Sequence, residues 1–308
     1  MNYTHLGNTG LKVSVVGLGC GGPSRLGQRG GKSTDHSVRL VRQALDLGVN
    51  FLDTAENYGT EAIVAAAIRE VPRDRVVIST KKIMPEPGDP DPAGFMRAGV
   101  EASLNRLGTD YVDVFHLHGV SEERYEFAAN VMAPVLAELR EEGKIRAVGI
   151  TEEFPGNPRH EMLRRGLRDP WWDVVMVGFN LLNPSARRSV FPLTREKGVG
   201  TLVMFAVRRA LSQPAQLSRL LGEMEQHGLI EPGADLGFLT EDGCAGSLTE
   251  AAYRFCVHEP GADVVLTGTG DEAHLAANIE ATLKPPLPVE ALERLEALFG
   301  DVDSVTGN

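Results

Sequence analysis

Four side chains carry the chemistry that this sequence suggests: Asp53, Tyr58, Lys81 and His118. The stretch Asn50–Gly59 reads Asn-Phe-Leu-Asp-Thr-Ala-Glu-Asn-Tyr-Gly, an apolar run that ends in an acid and continues to a tyrosine at a turn. An aspartate where a buried strand stops is costly unless it is paired. Lys81 and His118, at the ends of the next two strands, are the candidate partners. A tyrosine hydroxyl, with a free pKa of about 10, is a poor proton donor at neutral pH. A nearby ammonium lowers that value, and an aspartate would hold and neutralise the ammonium. A histidine orients a substrate carbonyl or shares in the proton transfer. An acid placed beside a carbonyl, with no metal, suits hydride transfer from a nicotinamide cofactor. Any one of the four alone reads as a surface or structural group, with Asp53 a cap on the turn before Glu56. Their convergence is what implies chemistry.

That convergence depends on the elements that carry them. Short strands are predicted at Ser14–Gly19, Phe51–Thr54, Val76–Lys81, Val112–His118, Ala147–Thr151, Val174–Val177, Thr201–Phe205 and Val264–Thr267. Helical periodicity separates them, as in Pro92–Leu107, where Met96, Val100, Leu104 and Leu107 share a face. Further helices are expected over Glu61–Glu70, over Phe127–Glu142 with a kink at Pro134, and over Ser185–Lys197. Eight strands that alternate with helices predict an α/β fold, a (β/α)₈ TIM barrel. The turn signal Gly7-Asn8-Thr9-Gly10 adds an N-terminal β-hairpin. No linker or composition shift divides the chain, so residues 1–308 read as a single barrel domain. It would have a long loop, 206–247, after strand seven and a C-terminal helix, 289–299. Strand alternation puts Phe51 with Asp53, Ser79 with Lys81, and Val114 with His116 and His118. Adjacent strands therefore aim Asp53, Lys81 and His118 at one mouth, and Tyr58 reaches it from the following loop. His116 reads as a satisfied polar residue one layer lower.

Bulk properties fit an ordinary globular protein, with 42% hydrophobic and 24% charged residues among 308. A net charge of −11 argues against non-specific binding to nucleic acid or anionic membranes. Cys20, Cys244 and Cys256 are too few and too scattered for a disulfide framework or zinc spacing. With neither signal-peptide character nor a run of about 20 apolar residues, a cytoplasmic location is expected.

Two other readings compete. Gly17-Leu-Gly19-Cys-Gly-Gly22 satisfies G-x-G-x-x-G after a strand. Asp53 lies well beyond the spacing of about 20 residues that a dinucleotide-binding unit needs, and eight strands exceed the six of that fold. His116 and His118 have the spacing of a metal pair, but no other histidine ends a strand, so no metal is expected.

Asp53-Thr-Ala-Glu-Asn-Tyr58-Gly, Ile78-Ser-Thr-Lys81 and Tyr111-Val-Asp-Val-Phe-His-Leu-His118 resemble the motifs of the aldo-keto reductases. Leu6-Gly-Asn-Thr-Gly-Leu-Lys-Val-Ser and Gly17-Leu-Gly19 fit the same family, and the resemblance runs over nearly the whole chain. It implies a barrel enzyme that reduces a small-molecule aldehyde or ketone with NADPH or NADH. Tyr58 would be its general acid, Asp53 and Lys81 would tune that acid, and His118 would position the carbonyl. The cofactor positions depart further from the family. Thr151-Glu152 stands where Ser-Asn is usual, Met176 where glutamine is usual, and Phe205-Ala-Val-Arg208 where an aromatic precedes Ser-Pro-Leu. Phe205 would stack on the nicotinamide, and Arg208 with Arg209 would meet the pyrophosphate. Leu266-Thr-Gly268-Thr269-Gly270-Asp-Glu-Ala-His274-Leu-Ala-Ala-Asn278 resembles the site for the adenosine phosphate end. Glycines before a helix N-terminus suit a phosphate independently of the resemblance. Acidic Asp271 and Glu272 beside His274 lead to the expectation that NADH is tolerated well. The weakened carboxamide site keeps a second function open, a slowly turning-over nicotinamide-binding redox sensor or regulatory subunit.

Overall fold

In the computed structural model, which describes residues 1–241 and 243–308, eight parallel strands close into a barrel. A hairpin precedes it, in which β1 (Tyr3–His5) pairs antiparallel with β2 (Lys12–Ser14). The barrel strands are β3 (Val16–Gly19), β4 (Phe51–Asp53), β5 (Val77–Lys82), β6 (Val112–Val120), β7 (Ile145–Glu152), β8 (Val174–Gly178), β9 (Gly200–Met204) and β10 (Val264–Thr267). Each pairs with its neighbour in sequence, and β10 returns to β3 to close the cylinder.

Alternation along these strands sorts their side chains into two cores. Phe51, Val77, Val114, Ala147, Val174, Met176, Leu202 and Val264 fill the barrel interior, joined by Leu6, Leu11 and Val13 of the hairpin segment. The hairpin thus plugs one end. Leu52, Ile78, Phe115, Leu117, Val148, Ile150, Val175, Val203 and Val265 belong to the larger core that includes the buried faces of the helices. At roughly 25 cal/mol per Å² of apolar surface, these cores supply most of the drive to fold. Directly above the apolar interior lies a polar layer on the same inward faces, formed by Asp53, Ser79, Lys81 and His116, all at most 3% exposed.

The elements differ from the sequence reading where proline and local spacing intervene. The helix expected over Phe127–Glu142 is an α-helical turn at Tyr125–Phe127, a π-helical stretch at Ala128–Met132 and an α-helix at Ala133–Glu141. Pro134 has no N–H for the preceding turn, and the wider π turns lead into it. The expected Ser185–Lys197 helix is two pieces, Ala186–Ser189 and Phe191–Lys197, with Pro192 in the first turn of the second. The 206–247 segment is not a plain loop. It holds a helix at Pro214–Gln226, begun by its proline and buried through Leu220, Leu221 and Met224. Position 242 of that segment lies outside the described residues. Among the described residues, no helix is long and apolar enough to cross a membrane.

Candidate active site

Asp53, at the end of β4, and Lys81, near the end of β5, form a buried pair in the polar layer. The Lys81 ammonium donates to Asp53 Oδ1, to Asp53 Oδ2 and to the Thr54 carbonyl, each at 2.7 Å. Its three hydrogens are thereby all committed. Ser79, one inward position below Lys81, donates to Asp53 Oδ1 at 2.8 Å. Burial is the largest influence and pulls the Lys81 ammonium down, but the charge and hydrogen bond of Asp53, with Tyr58 and Cys20, together outweigh it and leave the pKa above the ordinary lysine value.

Tyr58 follows on a short 3₁₀ turn, Glu56–Tyr58, which Gly59 ends in the left-handed conformation (φ 73°). Its ring lies within reach of Lys81, with Nζ 5.1 Å from the ring centroid. It meets His118 edge-on, at a centroid distance of 5.5 Å and an interplanar angle of 83°. The hydroxyl and His118 Nε2 are 3.4 Å apart. Both side chains are partly exposed at the mouth, whereas Asp53 and Lys81 beneath them are buried. Lys81 lowers the Tyr58 pKa, as expected, but burial is the larger effect and the net value is raised. The phenol therefore keeps its proton at neutral pH. Burial first and Lys81 second push His118 down to about 3, so its imidazole is neutral and has one N–H to offer.

Three residues of this site were not singled out in the sequence. Ser79 is one; it shares a strand face with Lys81, and that parity was the available signal. Gly21 is another. A Cβ there would lie 2.3 Å from Tyr58 Cε2, so the tyrosine ring rests directly on bare backbone. At Gly21, the glycine-rich loop after β3 seats the Tyr58 ring. Gly149 is the third, and it is pressed against the His116 ring in the same way.

The residues expected to hold a cofactor fall into three places. Thr151 accepts a hydrogen bond from the Gly119 N–H at 2.7 Å and is buried. Glu152 points into protein: it pairs with His160 Nδ1 at 2.9 Å and accepts from the Gly178 N–H at 2.8 Å. His160 continues to Ser185 Oγ at 3.1 Å and stacks on Phe154, at 5.5 Å between centroids. Glu152 is thus committed to a buried structural network. Met176 belongs to the apolar barrel interior and is 3% exposed. Phe205 sits just past β9 with φ 66°, stacked on Phe154 at 5.9 Å. The Arg208 guanidinium lies over the Phe205 ring at 4.1 Å. Its Nη1 is buried and lacks a hydrogen-bond partner, and burial with Arg209 lowers its pKa to about 10.

Gly19, Gly268, Thr269 and Gly270 meet at the third place. A Cβ on Gly268 would lie 3.1 Å from the Gly19 carbonyl oxygen, and one on Gly270 2.4 Å from Gly27 Cα. The helix Glu272–Leu283 starts there, and its N-cap Asp271 accepts from the His274 N–H at 2.9 Å. A carboxylate already occupies that helix N-terminus. His274 is exposed, and Asn278 donates to Thr267 Oγ1 at 2.9 Å. The structure brings Asp53, Tyr58, Lys81 and His118 together; Gly19, Thr151, Glu152, Phe205, Arg208 and the 268–270 turn lie at or just past other strand ends, Met176 lies inside the barrel, and His274 and Asn278 lie on the helix Glu272–Leu283. No group of three or more His, Cys, Asp or Glu side chains able to hold a metal occurs among the described residues.

A tyrosine, a buried ammonium–carboxylate pair and a histidine thus gather at the C-terminal ends of β4, β5 and β6, the face of a parallel barrel where active sites sit. Residues 17–299 match the model of the aldo/keto reductase family, and the chain belongs to that family. L-galactose dehydrogenase of Arabidopsis thaliana is 38% identical over 204 residues, which cover 64% of this chain and 62% of that protein. Aldo-keto reductase YhdN of Bacillus subtilis is 29% identical over 315 residues, covering 92% of this chain and 89% of that one. Among solved structures, the holo form of aldo-keto reductase AKR11C1 from Bacillus halodurans superposes with a TM-score of 0.74 at 24% identity. That alignment covers 99% of this chain and 100% of the other. Members of the family are oxidoreductases that use nicotinamide cofactors.

Proposed function

We propose that this chain reduces an aldehyde or ketone to an alcohol with NAD(P)H, Tyr58 supplying the proton. The observation that carries the reading is the meeting of Tyr58 and His118 over the buried Asp53–Lys81 pair. A carbonyl oxygen seated between the Tyr58 hydroxyl and His118 Nε2 would accept from both, which polarises the carbon toward hydride. As negative charge develops on that oxygen, Tyr58 gives up its proton. Lys81 stabilises the tyrosinate left behind, and Asp53 keeps Lys81 charged and in place. His118, held neutral, donates without competing for the proton.

The nicotinamide cofactor supplies the hydride when bound. The residues present fit such a group in part. A buried guanidinium nitrogen without a partner, that of Arg208, suits an anionic diphosphate, and Phe205 beside it offers an aromatic face. Gly268, Thr269 and Gly270 would receive the adenosine end, near Gly19. Thr151 is left to contact the carboxamide, because Glu152 is committed to His160 and Met176 has no donor. Asp271 at the helix N-terminus repels a 2′-phosphate, so NADH is expected to serve well. A preference for NADPH of about 100-fold in kcat/KM, roughly 2.7 kcal/mol, would exclude that part of the reading.

The test is loss of NAD(P)H absorbance with an aromatic aldehyde, and oxidation of L-galactose as a second substrate suggested by the plant relative. Turnover that disappears in Tyr58→Phe supports the proposal. Tight cofactor binding with no turnover on either substrate favours the sensor reading, which the diversion of Glu152 keeps in play.

A further inference from the structure

His116 has no part in the mechanism above, yet it lies fully buried in the polar layer beneath the acid. In register it stands beside Lys81 on one side and Gly149 on the other. We propose that His116 is a positioning residue of the proton-transfer site. As a neutral Nε2–H tautomer it donates to Ser79, directs the Ser79 hydrogen onto Asp53, and so takes up part of the carboxylate charge that Lys81 would otherwise neutralise alone. This inference rests on the reading of Tyr58 as the acid.

Hydrogen-bond bookkeeping sets the tautomer. Ser79 has one hydroxyl hydrogen, and the Asp53 carboxylate, which can only accept, lies 2.8 Å from its oxygen. Only lone pairs then remain for His116 Nε2 at 3.1 Å, so that nitrogen must carry the proton. The other ring nitrogen, Nδ1, is buried without a partner. A Cβ on Gly149 would lie 2.1 Å from it, so β7 presents bare backbone where the ring sits. A second proton would have no acceptor there and would add a cation beside Lys81. Burial first, then Lys81 and His118, hold the ring neutral. The relay runs His116 to Ser79 to Asp53, with Lys81 closing on the same carboxylate.

The relay has a sign. A Ser79 hydroxyl that itself receives a hydrogen bond donates more strongly, by about 10–30%. Asp53 then draws less on the Lys81 charge, and more of that field acts on Tyr58. The charged or titratable groups that face Tyr58 are Lys81, Asp53, Cys20, Arg25 and His118. Those near His116 are Lys81 and His118. Replacing His116 with an apolar side chain therefore raises the Tyr58 pKa, by at most about half a unit from that fraction of a charge-assisted bond.

Two measurements test this without turnover. Nitrogen NMR of histidine-labelled protein should show His116 with protonated Nε2 and bare Nδ1 from about pH 5 to pH 9, where a free imidazole would titrate. The opposite tautomer, or titration in that range, would overturn the proposal on the unmodified chain. Carbon NMR of ring-labelled tyrosine, with Tyr58 assigned by Tyr58→Phe, then follows the hydroxyl. His116→Leu should raise its pKa and His116→Gln, which can still donate, should restore it. Ser79→Ala should raise it also, and His116→Leu should add nothing in that background. An unshifted Tyr58 in folded His116→Leu, or additive effects of the two substitutions, overturns the relay. A wild type that titrates as stated but reduces no aldehyde would refute the proposed function and leave this coupling standing.

Discussion

Lys81→Met isolates the residue on which the electrostatics turn. Methionine fills similar volume but removes an ammonium that makes three hydrogen bonds of 2.7 Å. Asp53 would be left 3% exposed, with only Ser79 still donating to it. Breaking one side of a buried pair costs about 3–5 kcal/mol, because the remaining charge stays uncompensated. Protonation of Asp53 relieves part of that. The catalytic effect is separate. Lys81 Nζ lies 5.1 Å from the Tyr58 ring centroid and favours a Tyr58 anion, by an amount on the order of 3 kcal/mol at an effective dielectric of about 20 for charge centred on the ring, with Asp53 opposing. Losing the cation raises the Tyr58 pKa further and weakens the acid in the transition state. We expect kcat to fall at least about 100-fold, within the usual worth of general-acid catalysis.

Two assays separate these effects. Urea unfolding should show Lys81→Met well below wild type, and Asp53→Leu/Lys81→Met should recover much of the loss, because an apolar pair replaces the orphaned charge. Activity should not recover with it. Steady-state kinetics should show the loss in kcat with cofactor affinity little changed. A folded Lys81→Met enzyme with kcat within threefold of wild type, an energy difference of about 0.6 kcal/mol, would refute the electrostatic argument.

Other substitutions test the scaffold. Gly21→Ala places a Cβ 2.3 Å from the Tyr58 ring, and a displaced acid should cost about 100-fold in kcat while thermal stability falls only modestly. His160→Ala removes a hydrogen-bond partner of Glu152, which is 3% exposed, and urea titration should show a loss of about 1–3 kcal/mol. Acid should destabilise the fold through His118, whose pKa falls from 6.5 when free to about 3 when folded. Between those values the unfolded chain binds the extra proton, so stability rises with pH, by up to about 1.4 kcal/mol per unit. His118→Phe should flatten that slope in unfolding curves taken across the window.

The convergence of the candidate residues was legible because period-two alternation in a barrel is strict. Asp53, Lys81 and His118 occupy inward positions on consecutive strands, and parity alone puts them together. Eight strands in sequence order made the fold legible by the same rule. Side-chain commitment was not readable. Nothing local in Thr151-Glu152 announces that Glu152 turns away to a histidine on the next connection, since His160 joins it only through tertiary packing. The net Tyr58 acidity was not readable for a related reason: the Lys81 effect, which does lower the pKa, is pairwise and visible in the motif, whereas the larger effect of burial depends on every neighbour. The helix at Pro214–Gln226 was present in the pattern, with Leu217, Leu220, Leu221 and Met224 at helical spacing, but was hidden inside a mixed stretch.

The most direct measurement of the central claim uses NAD(P)H carrying deuterium at the transferable position, with an aromatic aldehyde, in wild type and Tyr58→Phe. The account predicts an alcohol with one deuterium on the former carbonyl carbon. In Tyr58→Phe it predicts formation slowed by about 100-fold or more, with cofactor affinity unchanged. An alcohol without the label, or a phenylalanine variant as fast as wild type, would contradict it.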